Sequence, residues 1–310
     1  MYKGLRVAAV VPAHNEEELI GKTITTMPEL VDVILVIDDA STDATAKCAL
    51  GSGDPRLVLI EHSTNTGVGG SIIDGHKAAL ELGADVSVVM AGDAQMDPAY
   101  LPALLDPITD EGYGFVKANR FYSRRALAGM PWLRVVGNIV LSFATKLASG
   151  YWNLFDPQNG YTAITRDALN RIDLDKVARG YSFENDLLIW LGIADVRAQD
   201  VRVPAVYGIE ESGMRLRKVI PEISRLLFTG FWRRIFLKYV LMSFSPIALL
   251  LFTGLFLCVA GTGVGLWALI VTPSGQSPTA GTVLLAVGPL LVGINMLVHA
   301  LTLDIQQTPD

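Results

Sequence analysis

Residues 7–17 read VAAVVPAHNEE, and residues 33–43 read VILVIDDASTD. Each couples a short β-branched run to an end crowded with amide, hydroxyl and carboxylate groups. The same unit returns at 86–98, VSVVMAGDAQMDP, and residues 57–60 and 115–118 supply two further strand-like runs. Segments of helical length fill the gaps, at 16–27, 41–50, 70–82 and 98–110. Strands alternating with helices predict an α/β fold built on a mostly parallel sheet. In an open sheet of that kind, ligands bind beyond the carboxyl ends of the strands.

Four successive strand ends carry carboxylates, amides or glycines: 12–18, 38–43, 65–70 and 91–98. Such an edge suits a nucleotide. Carboxylates accept from ribose hydroxyls and base N–H groups, glycines let backbone approach closely, and one carboxylate can hold a divalent cation against a diphosphate. Each piece also has a plainer use. Ser41, Thr42 and Asp43 suit a helix cap, Asn65, Thr66 and Gly67 a turn, and Asp93 a turn aspartate. Their joint occurrence at consecutive strand ends is what points to a site. Neither GxGxxG nor GxxxxGK[ST] is present, so dinucleotide and P-loop readings lack their motifs.

Composition divides the chain. It has 310 residues, 51% hydrophobic and 18% charged, with net charge −6 and mean hydropathy +0.39. Intrinsic disorder is excluded, since it needs low hydrophobicity and high charge. Two cysteines, Cys48 and Cys258, make neither a disulfide scaffold nor a four-cysteine zinc site. Residues 1–210 are net acidic, and 211–242 form a basic amphipathic neck with Arg215, Arg217, Lys218, Arg225, Arg233, Arg234 and Lys238. Residues 243–310 hold no Lys or Arg. Within that tail, 246–271 and 281–303 each exceed the ~20 apolar residues that cross a bilayer, with a polar linker between them. Basic residues favour the cytoplasmic flank, and no apolar signal segment precedes the first strand. The expectation is an integral membrane protein: a cytoplasmic domain over 1–210, then a two-helix transmembrane hairpin. In the neck, Pro221 is expected to divide two short helices. Phe231 and Trp232 are expected to dip into the headgroup layer, with Arg233 and Arg234 meeting lipid phosphate.

Residues 11–17, 37–43 and 92–98 resemble the three signatures of the family 2 inverting glycosyltransferases, which have the GT-A fold. Asn119-Arg120-Phe121, Arg134 after Pro-Trp-Leu, Asp156 to Tyr161 and Phe183 to Asp186 resemble the dolichol-phosphate mannose synthase branch, makers of polyprenyl-phosphate sugars. The resemblance covers about residues 5–240. It implies a Rossmann-like GT-A domain, then amphipathic interface helices, then the hairpin. It further implies that Pro12, Ala13, Asn15, Glu17, Asp39, Gly69, Asp93, Ala94 and Gln95 bind the donor nucleotide-sugar. Asp93 and Gln95 would hold Mg²⁺ or Mn²⁺. Where the family has Asp-Xaa-Asp, this chain has Ala91-Gly92-Asp93, one carboxylate short.

An acceptor phosphate is already anionic near neutral pH and needs no strong base. It needs cations that bring two phosphates together, and a guanidinium matches phosphate bidentately. Arg120 and Arg134 are the candidates, with Arg124 and Arg125 in reserve. Asp156, Gln158, Asn159 and Glu184 are expected around the sugar, and Asp186 beside the reacting groups. Ser212, Arg215 and Arg217 are expected to close over the donor. The implied partners are a nucleotide-sugar (GDP-mannose, UDP-glucose or UDP-N-acetylglucosamine), a polyprenyl phosphate and the membrane. No nucleic acid is expected, and a homo-oligomer is, with Gly254, Gly261 and Gly265 allowing close helix packing. The alternatives are transfer to a sugar hydroxyl in polysaccharide synthesis, a sugar-nucleotidyltransferase, and an inactive membrane scaffold of the same fold, which Ala91 favours.

Overall fold

The computed structural model describes residues 1–120, 132–204, 216–272 and 276–309, and of 132–135 and 216–218 the backbone only. The chain falls into two compact units, Met1–Phe231 with residues 309–310, and Trp232–Thr308. In the first unit the elements run β1 (Val7–Ala13), α1 (Ile20–Thr25), β2 (Val33–Asp38), α2 (Thr45–Gly51), β3 (Leu57–Glu61), α3 (Val68–Glu81) and β4 (Val86–Val89). There follow α4 (Leu101–Glu111), β5 (Phe115–Asn119), α5 (Trp132–Ser149), β6 (Thr162–Thr165), α6 (Arg166–Asn170), α7 (Phe183–Ile193) and β7 (Ala198–Arg202).

The seven strands form one sheet, in the order β3-β2-β1-β4-β6-β5-β7. All neighbours pair parallel except β6, which runs antiparallel to both β4 and β5. The reversed strand is short, four residues, and had no counterpart among the expected runs. Every residue of β1, β2 and β4 is buried, because helices cover both faces. Val7, Ala9 and Val11 face a core shared with Ile20 and Ile24 of α1 and Leu104 of α4. Ala8 and Val10 face the other side, with Ala79 of α3. A Cβ on Gly75 of α3 would overlap the Val10 side chain, so that helix lies directly on β1. Strand order turns back between β1 and β4, which is where an open α/β sheet offers its crevice.

Two helices start later than their expected spans. Residues 16 and 17 are not helical because their N–H groups donate to Thr45 Oγ1 (2.8 Å) and Asp43 Oδ2 (3.2 Å). Residue 42 is held likewise, its N–H donating to Asn15 Oδ1 (2.8 Å). Cross-loop hydrogen bonds thus take the backbone that a longer helix would use. The segment expected at 98–110 is a 3₁₀ turn at Pro98–Tyr100, capped by Asp97, followed by α4.

Pro221 does not divide the neck. One helix, α8 (Leu216–Arg234), runs through it. The proline lies in the second turn, where it removes a single hydrogen bond, to the Arg217 carbonyl, and leaves the remaining turns intact. A π-helical stretch, Ile235–Met242, follows.

The second unit holds α9 (Pro246–Val271) and α10 (Ala280–Gln306), both apolar and long enough to cross a bilayer. A Cβ on Gly254 would sit 3.0 Å from the Gly293 carbonyl oxygen, and one on Gly261 2.6 Å from that of Ala286. These two glycines therefore serve close packing of α9 on α10 within one chain. Of the neck residues, Arg234 departs from expectation. Trp232 stacks on Phe252, ring centroids 6.1 Å apart. Arg234 is fully buried, with Nη1 and Nη2 donating to Asp304 Oδ1 (2.6 Å) and Oδ2 (3.0 Å), and Tyr239 donating to the same carboxylate (2.5 Å). A guanidinium so enclosed does not meet lipid phosphate. Burial of the pair in good geometry is what the chain has instead.

Candidate active site

Two loops meet at the crevice. The Gly92 N–H donates to the Pro12 carbonyl (3.1 Å), which places the segment after β4 beside the end of β1. There is little room to spare, since a Cβ on Gly92 would lie 3.3 Å from Ala13 Cβ. Asn15, Ala40 and Ala94 all take left-handed backbone, φ +58, +56 and +55. Non-glycine residues adopt that region only where their surroundings hold them. Asn15 is held by its side chain on Thr42 and by its own N–H on Ser41 Oγ (3.0 Å). Glu17 Oε2 accepts from the Ala44 N–H (2.9 Å). The loops after β1 and β2 are therefore laced into one edge.

Asp39 is buried. Its Oδ1 lies 2.8 Å from the His62 ring nitrogen and accepts from Thr66 N–H (2.8 Å) and hydroxyl (2.9 Å), while Oδ2 accepts from Gly67 N–H (2.8 Å). Burial alone would raise its pKa, but the His62, Thr66 and Gly67 hydrogen bonds outweigh it and hold the carboxyl below the usual range. Asp39 thereby organises the loop after β3 from within. Gly69 has a packing reason: a Cβ there would lie 2.6 Å from Phe183 Cβ and 2.7 Å from the Arg179 carbonyl.

Asp93 is different. It is half-buried and its Oδ1 accepts the Gln95 N–H (3.0 Å). Burial raises its pKa, opposed by the Gln95 amide and its own. Among the described residues no cluster of three or more His, Cys, Asp or Glu could cage a metal. A carboxylate strained by burial, beside a glutamine amide, still fits a hard cation whose other ligands are phosphate oxygens and water.

The third part comes from the far half of the sheet. Arg120 Nε and Nη2 donate to Asp156 Oδ2 (2.7 Å) and Oδ1 (2.9 Å), a bidentate pair. Asp156 is buried at φ +51, and its carbonyl accepts from buried Lys117 of β5. Burial pushes Asp156 upward, but Arg120 and Lys117 together hold it below the usual carboxylate range. Burial lowers the Lys117 ammonium. The loop that follows reaches back to the crevice, because Tyr161 OH donates to the Asp97 carbonyl (3.1 Å) and a Cβ on Gly160 would lie 3.6 Å from Met96. That Cβ would also be 3.8 Å from Glu184 Oε1 at the start of α7. Lys117, Asn159, Gly160 and Glu184 help line a small cavity of about 10 Å³, room for about one water. Burial pushes Glu184 to about 7 and Asp200 of β7 to about 6.

Asn159 is buried, its Oδ1 accepting Tyr161 N–H (3.1 Å). Gln158 Nε2 is buried without a hydrogen-bond partner, a donor aimed where an acceptor is lacking. Asp186 Oδ2 accepts the Ala178 N–H (2.9 Å). The backbone at Arg134 is in the first turn of α5 and that at Arg217 in α8. Arg124, Arg125, Ser212 and Arg215 lie outside the described residues. Lys117, Asp200 and His62 were missed from sequence. A lysine inside FVKAN and an aspartate inside AQDVR were the available signals, since strands exclude charge unless it is paired.

A family model described as glycosyl transferase family 2 matches residues 8–173. A UDP-N-acetylglucosamine–dolichyl-phosphate N-acetylglucosaminyltransferase from Methanococcus voltae is 29% identical over 213 residues, 64% of this chain and 84% of its own. An undecaprenyl-phosphate mannosyltransferase from Micrococcus luteus is 31% identical over 214 residues, 67% of this chain and 86% of its own. Glucosyl-3-phosphoglycerate synthase from Mycobacterium tuberculosis, solved with Mn²⁺, UDP-glucose and glycerol 3-phosphate, matches with TM-score 0.55 at 22% identity, covering 74% of this chain and 80% of that one. That last likeness concerns the fold alone.

Proposed function

The chain belongs to glycosyl transferase family 2, and from that premise we propose that it transfers a hexosyl group from a nucleoside diphosphate sugar to the phosphate of a polyprenyl phosphate. The donor would be GDP-mannose, UDP-glucose or UDP-N-acetylglucosamine. The names of the two sequence relatives support the acceptor class. The observation that carries the reading is the bidentate Arg120–Asp156 pair on a loop that reaches the Asp93 crevice through Tyr161.

The laced loops at Asn15, Glu17 and Asp39 receive the nucleoside, and Gln158 and Asn159 receive the sugar. Asp93 and Gln95 would hold a divalent cation, Mg²⁺ or Mn²⁺, which would neutralise charge on the diphosphate. Arg120 and Arg134 bring the acceptor phosphate to the opposite face of the sugar. One acceptor oxygen attacks the anomeric carbon. The bond from that carbon to the diphosphate oxygen breaks, and nucleoside diphosphate leaves with the electron pair. In-line displacement inverts the anomeric centre. No proton has to be removed, so no base is required; preorganised positive charge supplies the catalysis. The hairpin anchors the enzyme at the cytoplasmic face, where a lipid acceptor is met at high effective concentration, and the enzyme acts as a homo-oligomer.

A second reading has an acceptor hydroxyl in place of the phosphate, and one observation favours it. Glu184, pushed to about 7 by burial, is poised as a general base. Detergent-solubilised protein, given each labelled donor with polyprenyl phosphate, separates the two. Label extracted into organic solvent and lost with EDTA supports the proposal. Lipid label that survives EDTA keeps the acceptor and removes the metal. Donor binding with no lipid product favours the hydroxyl acceptor or an inactive scaffold.

A further inference from the structure

Asp200 sits midway along β7, the edge strand of the sheet, and the transfer set out above makes no use of it. In the β5–β7 register it lies opposite Lys117. Its Oδ2 accepts twice, from the Phe155 N–H (2.5 Å) and from Asn119 Nδ2 (3.1 Å). Phe155 immediately precedes Asp156, and Asn119 immediately precedes Arg120. One oxygen therefore ties together the two stretches of chain that deliver the bidentate pair. The loop before Asp156 is fastened to β7 a second time, Asn153 Nδ2 donating to the Ala198 carbonyl (2.8 Å). The other carboxylate oxygen, Oδ1, is buried with no hydrogen-bond partner, a cost in stability that packing of an edge strand does not require.

We propose that Asp200 is a positioning residue: it clamps Asn119 against Phe155 and thereby sets where the Arg120 guanidinium meets the acceptor phosphate. The bidentate pair does not fix that place by itself. Arg120 is about a third exposed, and Asp156 sits in a loop at φ +51, a conformation that its surroundings must hold. A reference to the sheet is needed, and β7 supplies it through Oδ2. A carboxylate suits the task, because hydrogen bonds to a charged acceptor are about twice as strong as neutral ones. Lys117 of β5 and Lys146 of α5 face it and favour its ionised form, while Asp156 opposes that form. Burial raises Asp200 no further than about 6, so it is charged at neutral pH.

The inference rests on the acceptor role given to Arg120 above, and the experiment separates the two. Full-length protein in detergent is assayed with undecaprenyl phosphate and whichever of the three donors gives product, and donor affinity is measured by calorimetry. Asp200→Asn, which keeps the size of the side chain, should lower kcat/KM for undecaprenyl phosphate about 10- to 100-fold and leave donor affinity as it is in wild type. In an Arg120→Lys background the bidentate fork is already gone. There the same change should cost less than about threefold, since residues that act as a unit are not additive. Equal losses in the two backgrounds, or donor affinity falling in parallel, would overturn the clamp and make Asp200 a support of the whole unit. Full transfer by Asp200→Asn while Arg120→Lys is crippled would overturn the clamp and leave the acceptor reading standing. Full transfer by Arg120→Lys, or no lipid product from wild type with any donor, would remove that reading and the inference with it. Should Asp200→Asn fail to fold, Asn119→Ala decides. It removes one arm of the clamp at a half-buried site, and should lower transfer about fivefold in the wild-type background and not in Arg120→Lys. The same loss in both would overturn the clamp.

Discussion

Asp156 concentrates most of the site's tension in one residue. It is buried, holds a left-handed backbone, and joins Arg120 and Lys117 of the neighbouring strand. Removing its charge frees the guanidinium and leaves Lys117 buried beside a neutral amide. Asp156→Asn should therefore lower kcat/KM for lipid transfer about 100-fold through misplacement of Arg120. It should also cost about 2 kcal/mol of stability, less than a fully enclosed pair because Arg120 is about a third exposed. Steady-state kinetics and chemical denaturation would measure the two effects separately. Glu184 gives the opposite electrostatic case. Burial raises it from 4.5 to about 7, so between those values the folded state keeps a proton that the unfolded chain has released. Stability from this group is present at low pH and is lost as pH rises from about 4.5 to about 7. Glu184→Gln should remove that loss, gaining on the order of 3 kcal/mol over wild type at pH 8 and little at pH 4. Melting curves of the two proteins across that range would show it, with the similar contribution of Asp200 cancelling.

Among the elements, α3 and α7 are joined through glycine. A methyl group at Gly69 meets Phe183 Cβ at the start of α7 and the Arg179 carbonyl, which is itself held by the Gly70 N–H. Gly69→Ala should destabilise the unit by about 1–3 kcal/mol, with nucleotide affinity falling together with stability; a circular-dichroism melt paired with nucleotide titration would test this. The strands of the first half were legible because β-branched runs end abruptly in polar loops, and because a parallel sheet gathers those ends at one edge. Helix starts were not, since what stops α1 and α2 is hydrogen bonding between loops about 27 residues apart, as between Asn15 and Thr42. The bidentate Arg120–Asp156 pair joins residues 36 apart in sequence. Each residue was expected at the site, but their pairing has no local signature. Pro221 misled for a simple reason: a proline's cost depends on its distance from the helix start, and that start was unknown.

At the scale of the whole molecule, charge and apolarity are sorted along the chain, and the tail's few polar groups carry topological information. Asp304 is one of two acidic residues after position 240. It lies in the last turn of α10 and pairs with Arg234 and Tyr239, which precede the first span. An ion pair of that kind requires its two strands of chain to be on the same side of a bilayer. Helices of 26 and 27 residues, about 39–40 Å long, are enough to cross ~30 Å of hydrocarbon and return. A single cysteine replacing Ser277, in the linker, should therefore react with a membrane-impermeant maleimide applied to intact cells. One replacing Gln307 should react only after the membrane is opened. The expected direction follows from the basic neck, since Lys and Arg favour the cytoplasmic flank. Labelling of both positions from outside would mean that α10 does not cross. Labelling of Gln307 alone would mean that the hairpin is inverted and the transferase unit faces outward. A further variant, Asp304→Leu, isolates the ion pair. Its loss should leave Arg234 enclosed without its counter-charge at a cost of about 3–5 kcal/mol, yet the labelling pattern should stay the same, since insertion follows hydrophobicity and flanking charge and the pair forms only after both spans are in place.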